Sequence, residues 1–457
     1  MKKNPPDGFL NWFEIARLGL VQMMLGSIVV LTTSTMNRVM VVELALPAML
    51  PGIFVGIHYA IQVLRPRWGH STDQKGARTP WIVGGMVVLA TGGLLAAVAT
   101  AWMASNTIAG ILLGLVAFLL IGIGVGASGT NLLVLLATHV SPRRRAAAAS
   151  LTWMMMIAGF VITAIVAGNQ LDPFTTLRLV EVTAAVCAVA VIGATLAVWG
   201  VERRSRLKPD DRVAPEIRPK SIPFRTALLQ VWDEPGSRRF ATFVFVAMLA
   251  YSAQDLILEP FAGAVFGMTP GESTRLAGIQ NGGVLLGMLV VALAASAISG
   301  PRLGSLKLWT VVGCLASGAA LFGLAIGGIV GTDWPLRINV FILGFSNGVF
   351  AVAAIGSMMG LAGKGRQNRE GVRMGLWGAA QAIAFGIGGL VGTAAVDLSR
   401  SFIESTGAAY SVVFALEAIL FAFAALMSLR MSRSVKSDHP ARSACSGSRL
   451  AADSTVS

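Results

Sequence analysis

Four groups of side chains in this 457-residue sequence have the types and spacing to do chemistry. Asp255 and Glu259 stand four apart, so on a helix they share one face with Tyr251. Pro260 follows at once, removes a backbone donor and lets the helix bend near Leu256. Two stacked carboxylates beside a kink can take up a proton or a cation, or ligate a metal. Equally, they can pair with Arg38 or Arg275 and hold two parts of the molecule shut. His58 and Gln62, again four apart, form the second group. A neutral imidazole there suits axial ligation of a metal in a flat macrocycle, or a hydrogen bond in a helix interior. Trp377, Gln381 and Phe385 make a stripe that can stack on a planar ligand and donate to it, or pack as core. Asn281, with Asn347 and Glu417, suits interhelical hydrogen bonding, and Asn281 is also placed to reach a ligand. The sequence holds no Gly-x-Ser-x-Gly, no phosphate-binding Gly-rich loop and no His/Glu metal pair at helical spacing, so no enzyme is expected.

These polar residues must be positioned by strongly apolar elements. Hydrophobic residues make up 55% of the chain, charged residues only 13%, and the mean hydropathy is +0.72. Globular domains carry about 25% charged residues, so this is the composition of a polytopic membrane protein. Apolar runs fall near 14–36, 47–65, 80–103, 108–138, 147–168 and 176–199, then near 239–268, 272–297, 307–330, 336–362, 373–398 and 406–428. Most reach the roughly 20 residues that a helix needs to cross a bilayer. The expectation is an all-α integral membrane protein of twelve transmembrane helices in two six-helix bundles, residues 1–199 and 239–430. A cytoplasmic linker at 200–238 joins them, and a disordered cytoplasmic tail follows from 431 to 457. The first apolar run has no short core ending in a small-residue cleavage site, so it is expected to stay as a helix.

The net charge of +14 invites a nucleic-acid partner, but the placement of the bases argues otherwise. In this topology only Arg38, Arg178, Arg275, Arg337 and Arg400 lie on the far side, and the other Lys and Arg residues face the cytoplasm. That asymmetry orients the chain in a lipid bilayer with both termini cytoplasmic, and no nucleic acid is needed. Cys187 and Cys314 lie in apolar runs and Cys445 in the polar tail, which makes no disulfide framework and no metal spacing. Gly52-x3-Gly56, Gly122-x3-Gly126 and Gly371-x3-Gly375 are ridges of small residues that let helices approach closely.

Two resemblances sharpen this plan. The loop Gly69-x3-Asp73-Gln74-Lys75-Gly76-Ala77-Arg78 resembles the signature between the second and third helices of the major facilitator superfamily, with Gln74 where a base is usual. It implies a structural or gating role for Gly69, Asp73, Gly76 and Arg78, as for Arg38 and Glu43 in the polar break before it. Thr35-Met-Asn37-Arg38-Val-Met-Val-Val-Glu43-Leu44 is similar to a signature of the PucC/LhaA bacteriochlorophyll-delivery family. So are Asp255-Leu-Ile-Leu-Glu259-Pro260-Phe261, running to Met268, and Gly375-Leu-Trp377-Gly-Ala-Ala-Gln381-Ala. That resemblance implies a factor in the inner, intracytoplasmic photosynthetic membrane of a purple bacterium. It would bind bacteriochlorophyll or a late precursor as cargo and deliver it to the polypeptides of the peripheral light-harvesting (LH2) antenna. His58, Gln62, Asn281, Trp377, Gln381, Asp255 and Glu259 are then the residues expected near the pigment. The alternative is a proton-coupled facilitator of a small solute, with Asp255 and Glu259 titrating in a central cavity.

Overall fold

The computed structural model describes residues 9–62, 78–141, 144–201, 229, 232–294, 305–362 and 370–437. All regular structure among them is helical. In chain order the helices are α1 (12–43), α2 (Met49–Ile61), α3 (Thr79–Met103), α4 (Thr107–His139), α5 (Arg145–Leu171) and α6 (Thr176–Val198). Then come α7 (Pro235–Phe266), α8 (Pro270–Ala294), α9 (Leu306–Val330), α10 (Leu336–Ala362), α11 (Glu370–Phe402) and α12 (Thr406–Ser437). Among the described residues eleven of these are long and apolar enough to cross a membrane, while α2 is a shorter apolar helix of 13 residues. The chain is a multi-pass membrane protein. Its outer surface agrees, since Ile108, Leu293, Ile329 and Phe402 are large apolar side chains left outside the packed interior, and lipid is the solvent that accepts them.

Helix ends follow local chemistry. Asn11 caps α1 by accepting the Glu14 N–H at 2.9 Å, and Glu14 returns the bond to the Asn11 N–H at 2.9 Å. At the other end of α7 the turn into α8 uses Gly267 at φ +65°, a left-handed conformation that costs glycine little.

Packing repeats along the chain. α1 lies on α5 and α6, α2 on α4, and α3 on α4 and α6. The same pairs recur with each number raised by six: α7 on α11 and α12, α8 on α10, and α9 on α10 and α12. Two contacts join the sets reciprocally, α2 with α11 and α8 with α5. The buried apolar side chains form two principal cores, one from α1–α6 joined by Leu256, the other from α7–α12 joined by Val41, Ala48 and Ile157.

Close approach depends on glycine where backbones touch. A Cβ on Gly283 would lie 2.8 Å from the Phe345 nitrogen, one on Gly287 2.9 Å from the Val349 nitrogen, and one on Gly348 2.9 Å from the Val284 Cα. Two small-residue ridges, Gly283-x3-Gly287 on α8 and Gly344-x3-Gly348 on α10, therefore face each other. Gly52 and Gly56 of α2 meet Thr393 and Gly386 of α11 across the two sets.

Candidate functional site

The first part of the site is built by α1, which does not run straight. Its segments Leu31–Thr35 and Val39–Glu43 are π-helical turns around a short α-helical stretch, Met36–Arg38. Thr32 and Thr33 donate their hydroxyls back to the Val29 carbonyl at 2.8 and 3.0 Å, which competes with the helical ladder there. A widened turn lets successive polar side chains leave the helix toward one neighbour. That neighbour is the α7–α8 hairpin. The Ser34 hydroxyl donates to the Glu259 carboxylate. The hydroxyls of Thr35 and Thr274 hydrogen-bond at 2.9 Å, and Asn37 donates to the Leu256 carbonyl at 2.5 Å.

Arg38, 2% exposed, donates to Glu43 and to the Met268 carbonyl. Gly263 makes room for it, because a Cβ there would stand 2.9 Å from Arg38 Nε. A cavity of about 610 Å³ borders this latch, lined by Arg38, Glu43, Asp172, Gly267, Met268 and Glu272.

Two more ties close the same end of the molecule. Arg275 of α8 pairs with Asp172 at 3.3 Å and donates to the Gly168 carbonyl at 3.0 Å, joining α8 to the end of α5. Asp397 of α11 accepts the backbone N–H groups of Ala48 and Met49 at 3.0 and 2.8 Å. Those are orphan donors at the start of α2, and a carboxylate suits the positive end of that helix. Each tie spans the two sets of helices, so together they latch one mouth shut.

Deeper in, Asp255 is exposed even though it sits mid-helix. Its electrostatic neighbours are Tyr251 one turn away and Glu417 of α12, and Tyr251 in turn feels Tyr59 of α2. With protein on these sides, the space Asp255 faces lies inside the molecule. Tyr251 and Tyr59 both pack against Phe385 of α11, at ring-centroid distances of 5.7 and 5.6 Å. An aromatic wall from three helices thus stands beside a carboxylate. Glu417 and Gln254 are buried, 3% and 0% exposed, and among the described residues neither side chain has a hydrogen-bond partner.

The residues singled out from sequence divide accordingly. Asp255 and Phe385 come together at the interior wall. Glu259 points to the latch, with Ser34, Ser273 and Arg38 around it. His58 is 3% exposed, its Nε2 lies 2.9 Å from the Gln62 amide nitrogen, and its ring meets Tyr59 edge-on at 4.8 Å. Trp377 is 1% exposed and wedged between α11 and the start of α7, donating to the Ser237 carbonyl at 3.2 Å and meeting Phe240 edge-on. Gln381 is half-buried one turn along. Asn281 is half-buried and donates to the Ala277 carbonyl of its own helix at 2.9 Å. Arg78 leads into α3, where its carbonyl accepts the Ile82 N–H at 3.0 Å. Gly69, Asp73 and Gly76 lie outside the described residues. Among the described residues no group of three or more His, Cys, Asp or Glu side chains could hold a metal ion.

Sequence reasoning passed over Asp397, Asn37, Ser34 and Tyr59. Tyrosine is scarce, with three in the chain, and two of them form the aromatic wall; that scarcity was the available signal.

With this geometry in view, comparison with known proteins decides the family. The family model described as PUCC protein matches residues 35–435, from the latch of α1 to the last turn of α12. The chain belongs to the PUCC protein family. One relative, the bacteriochlorophyll synthase 44.5 kDa chain of Rhodobacter capsulatus, is 53% identical over 419 residues, covering 92% of this chain and 95% of its own. Protein PucC of the same organism is 28% identical over 431 residues, covering 89% of each chain.

Solved structures resemble this PUCC family member in fold alone. A bacterial homologue of the human drug peptide transporters PepT1 and PepT2 matches with a TM-score of 0.69 at 13% identity, covering 93% of this chain and 98% of its own. A bacterial homologue of the human lysosomal transporter Spinster, inward-facing and unoccupied, matches with a TM-score of 0.65 at 14% identity, covering 95% and 99%. The helices are therefore arranged as in these solved transporter structures.

Proposed function

We propose that this chain is an assembly factor for the peripheral light-harvesting (LH2) antenna, binding bacteriochlorophyll or a late precursor and delivering it to the antenna polypeptides. One observation carries the reading: an interior carboxylate beside an aromatic wall, in a chain whose 53% identical relative is named for bacteriochlorophyll. A flat, tailed pigment needs a largely apolar site with few polar anchors, and this interior offers that chemistry. The repeated helix pairing supports twelve transmembrane helices in two six-helix halves, residues 1–199 and 239–430, with α2 completing the count. The distribution of Lys and Arg supports cytoplasmic termini, and the family with its bacteriochlorophyll-named relative supports the inner, intracytoplasmic photosynthetic membrane.

The latch then closes the mouth away from the cytoplasm, and pigment enters and leaves from the cytoplasmic or lipid side. Although the relative carries a synthase name, the reading here is delivery and not synthesis. The ionisable side chains of the latch tie helices together, as in Glu259 with Ser34 and Arg38 with the Met268 carbonyl, which supports a binding scaffold.

Gentle purification from a pigmented host in the dark tests this, with bacteriochlorophyll absorbance expected to co-elute in stoichiometric amount. A strain lacking the gene is expected to lose pigmented LH2. Colourless protein together with normal LH2 would end the reading. A second reading, proton-coupled transport of a small solute, is favoured by Asp255 opening into the interior of a transporter-like fold. It requires solute uptake that collapses with the proton gradient.

A further inference from the structure

The magnesium of a bacteriochlorophyll ring has its equatorial positions filled by ring nitrogens, so one protein oxygen or imidazole nitrogen completes its axial position. Four ionisable side chains singled out from the sequence have the chemistry to supply that ligand, and the structure ranks them by exposure. Glu259 is 2% exposed and accepts the Ser34 hydroxyl within the latch. His58 is 3% exposed and engaged with Gln62 and Tyr59. Glu417 is 3% exposed. Asp255 alone of the four is exposed, one helical turn from Tyr251, which packs with Tyr59 against Phe385.

Two further features suit a metal-bearing ring there. A flat π-system gains from offset or edge contact with aromatic side chains, and the wall offers three. Glu417 of α12 interacts electrostatically with Asp255, which places a second carboxyl group near the anchor.

Resting on the delivery reading, we propose that Asp255 is the axial anchor for the magnesium of bound bacteriochlorophyll, with Tyr59, Tyr251 and Phe385 as the wall that receives the ring. The anchor makes the site selective for the metallated pigment, which would let the protein withhold a metal-free tetrapyrrole from the antenna.

The test uses the purified full-length protein in detergent, titrated in the dark with bacteriochlorophyll and, separately, with bacteriopheophytin, the same ring without magnesium. Wild type is expected to bind the magnesium pigment at least about tenfold more tightly. Asp255→Leu is expected to erase that preference while keeping its affinity for bacteriopheophytin, which also shows that the variant is folded. Asp255→His, which restores an axial ligand, is expected to recover the preference with a shifted absorption maximum. Equal binding of the two pigments by wild type, or an unchanged preference in Asp255→Leu, overturns the anchor and leaves delivery standing. If Asp255→Leu binds neither pigment, Asp255→His decides: a folded Asp255→His protein without preference overturns the anchor. Wild type that binds neither pigment overturns anchor and delivery together.

Discussion

The Asn37 side-chain amide of α1 donates to the Leu256 backbone carbonyl of α7 at 2.5 Å. That carbonyl is available because Pro260, four residues on, has no N–H to give it. A helix break in one half is thus satisfied by a side chain from the other. Asn37→Ala is expected to cost about 1–2 kcal/mol by orphaning a buried carbonyl. Pro260→Ala supplies a competing N–H, so in that background the loss of Asn37 should cost about 1 kcal/mol less. A thermal-unfolding double-mutant cycle in detergent reads the difference, and strict additivity would refute the link.

Arg38 serves Glu43 and the Met268 carbonyl at once, a division that its planar fork allows and a lysine ammonium does not reproduce. Arg38→Lys and Arg38→Leu are both expected to loosen the latch, by about 1.5–3 kcal/mol for the loss of charged hydrogen bonds. Ser273, fully buried beside the latch, is a suitable reporter. In a background without the native cysteines, Ser273→Cys should react slowly with a membrane-impermeant thiol reagent and several-fold faster once Arg38 is changed. Equal rates would mean that Arg38 does not hold this mouth closed.

The facing ridges of α8 and α10 separate close approach from mere glycine abundance. Gly348→Ala would push a methyl into the Val284 backbone, so a loss of about 1–3 kcal/mol is expected. Gly282, nearby on α8, has nothing within 4 Å of the same added atom. Gly282→Ala should be neutral or gain about 0.5–1 kcal/mol from helix propensity. Paired melting curves of the two variants check both signs.

Glu417 and Gln254 are buried with every side-chain polar atom unpartnered among the described residues. Such groups weaken a fold, and replacing them with apolar groups of similar size often strengthens it. Glu417→Leu combined with Gln254→Leu is therefore expected to raise thermal stability by about 1–3 kcal/mol. If the acid supports pigment selectivity at Asp255, the same variant should lose preference for bacteriochlorophyll over bacteriopheophytin. A rise in stability with full selectivity would remove Glu417 from the site.

Much of the plan is legible in the order of the amino acids. Hydropathy alone locates the helices, because a bilayer accepts only segments whose backbone is satisfied internally and whose side chains are apolar. The spacing of Asp255 and Glu259 puts them on one helix face, and Pro260 announces the bend. Spacing does not say what stands opposite. One turn of difference sends Glu259 into a latch and leaves Asp255 open, although both occur in the same short motif. Likewise Gly52-x3-Gly56 signals close packing, but that its partner is α11 follows from how the two helix sets meet.

Asp397 shows the limit most clearly. In sequence it is one more charge near the end of a helix, far along the chain from the amides of Ala48 and Met49 that it caps. Local patterns are set by the 3.6-residue turn and by the cost of burying polar groups, and both are written into the chain residue by residue. Pairings between helices depend on which faces remain after every helix has buried its small residues, and that is a property of the whole packed molecule. For this protein the sequence therefore determined the membrane class, the apolar helices and the polar positions. Only the tertiary structure decided which of those positions close a mouth and which face the interior.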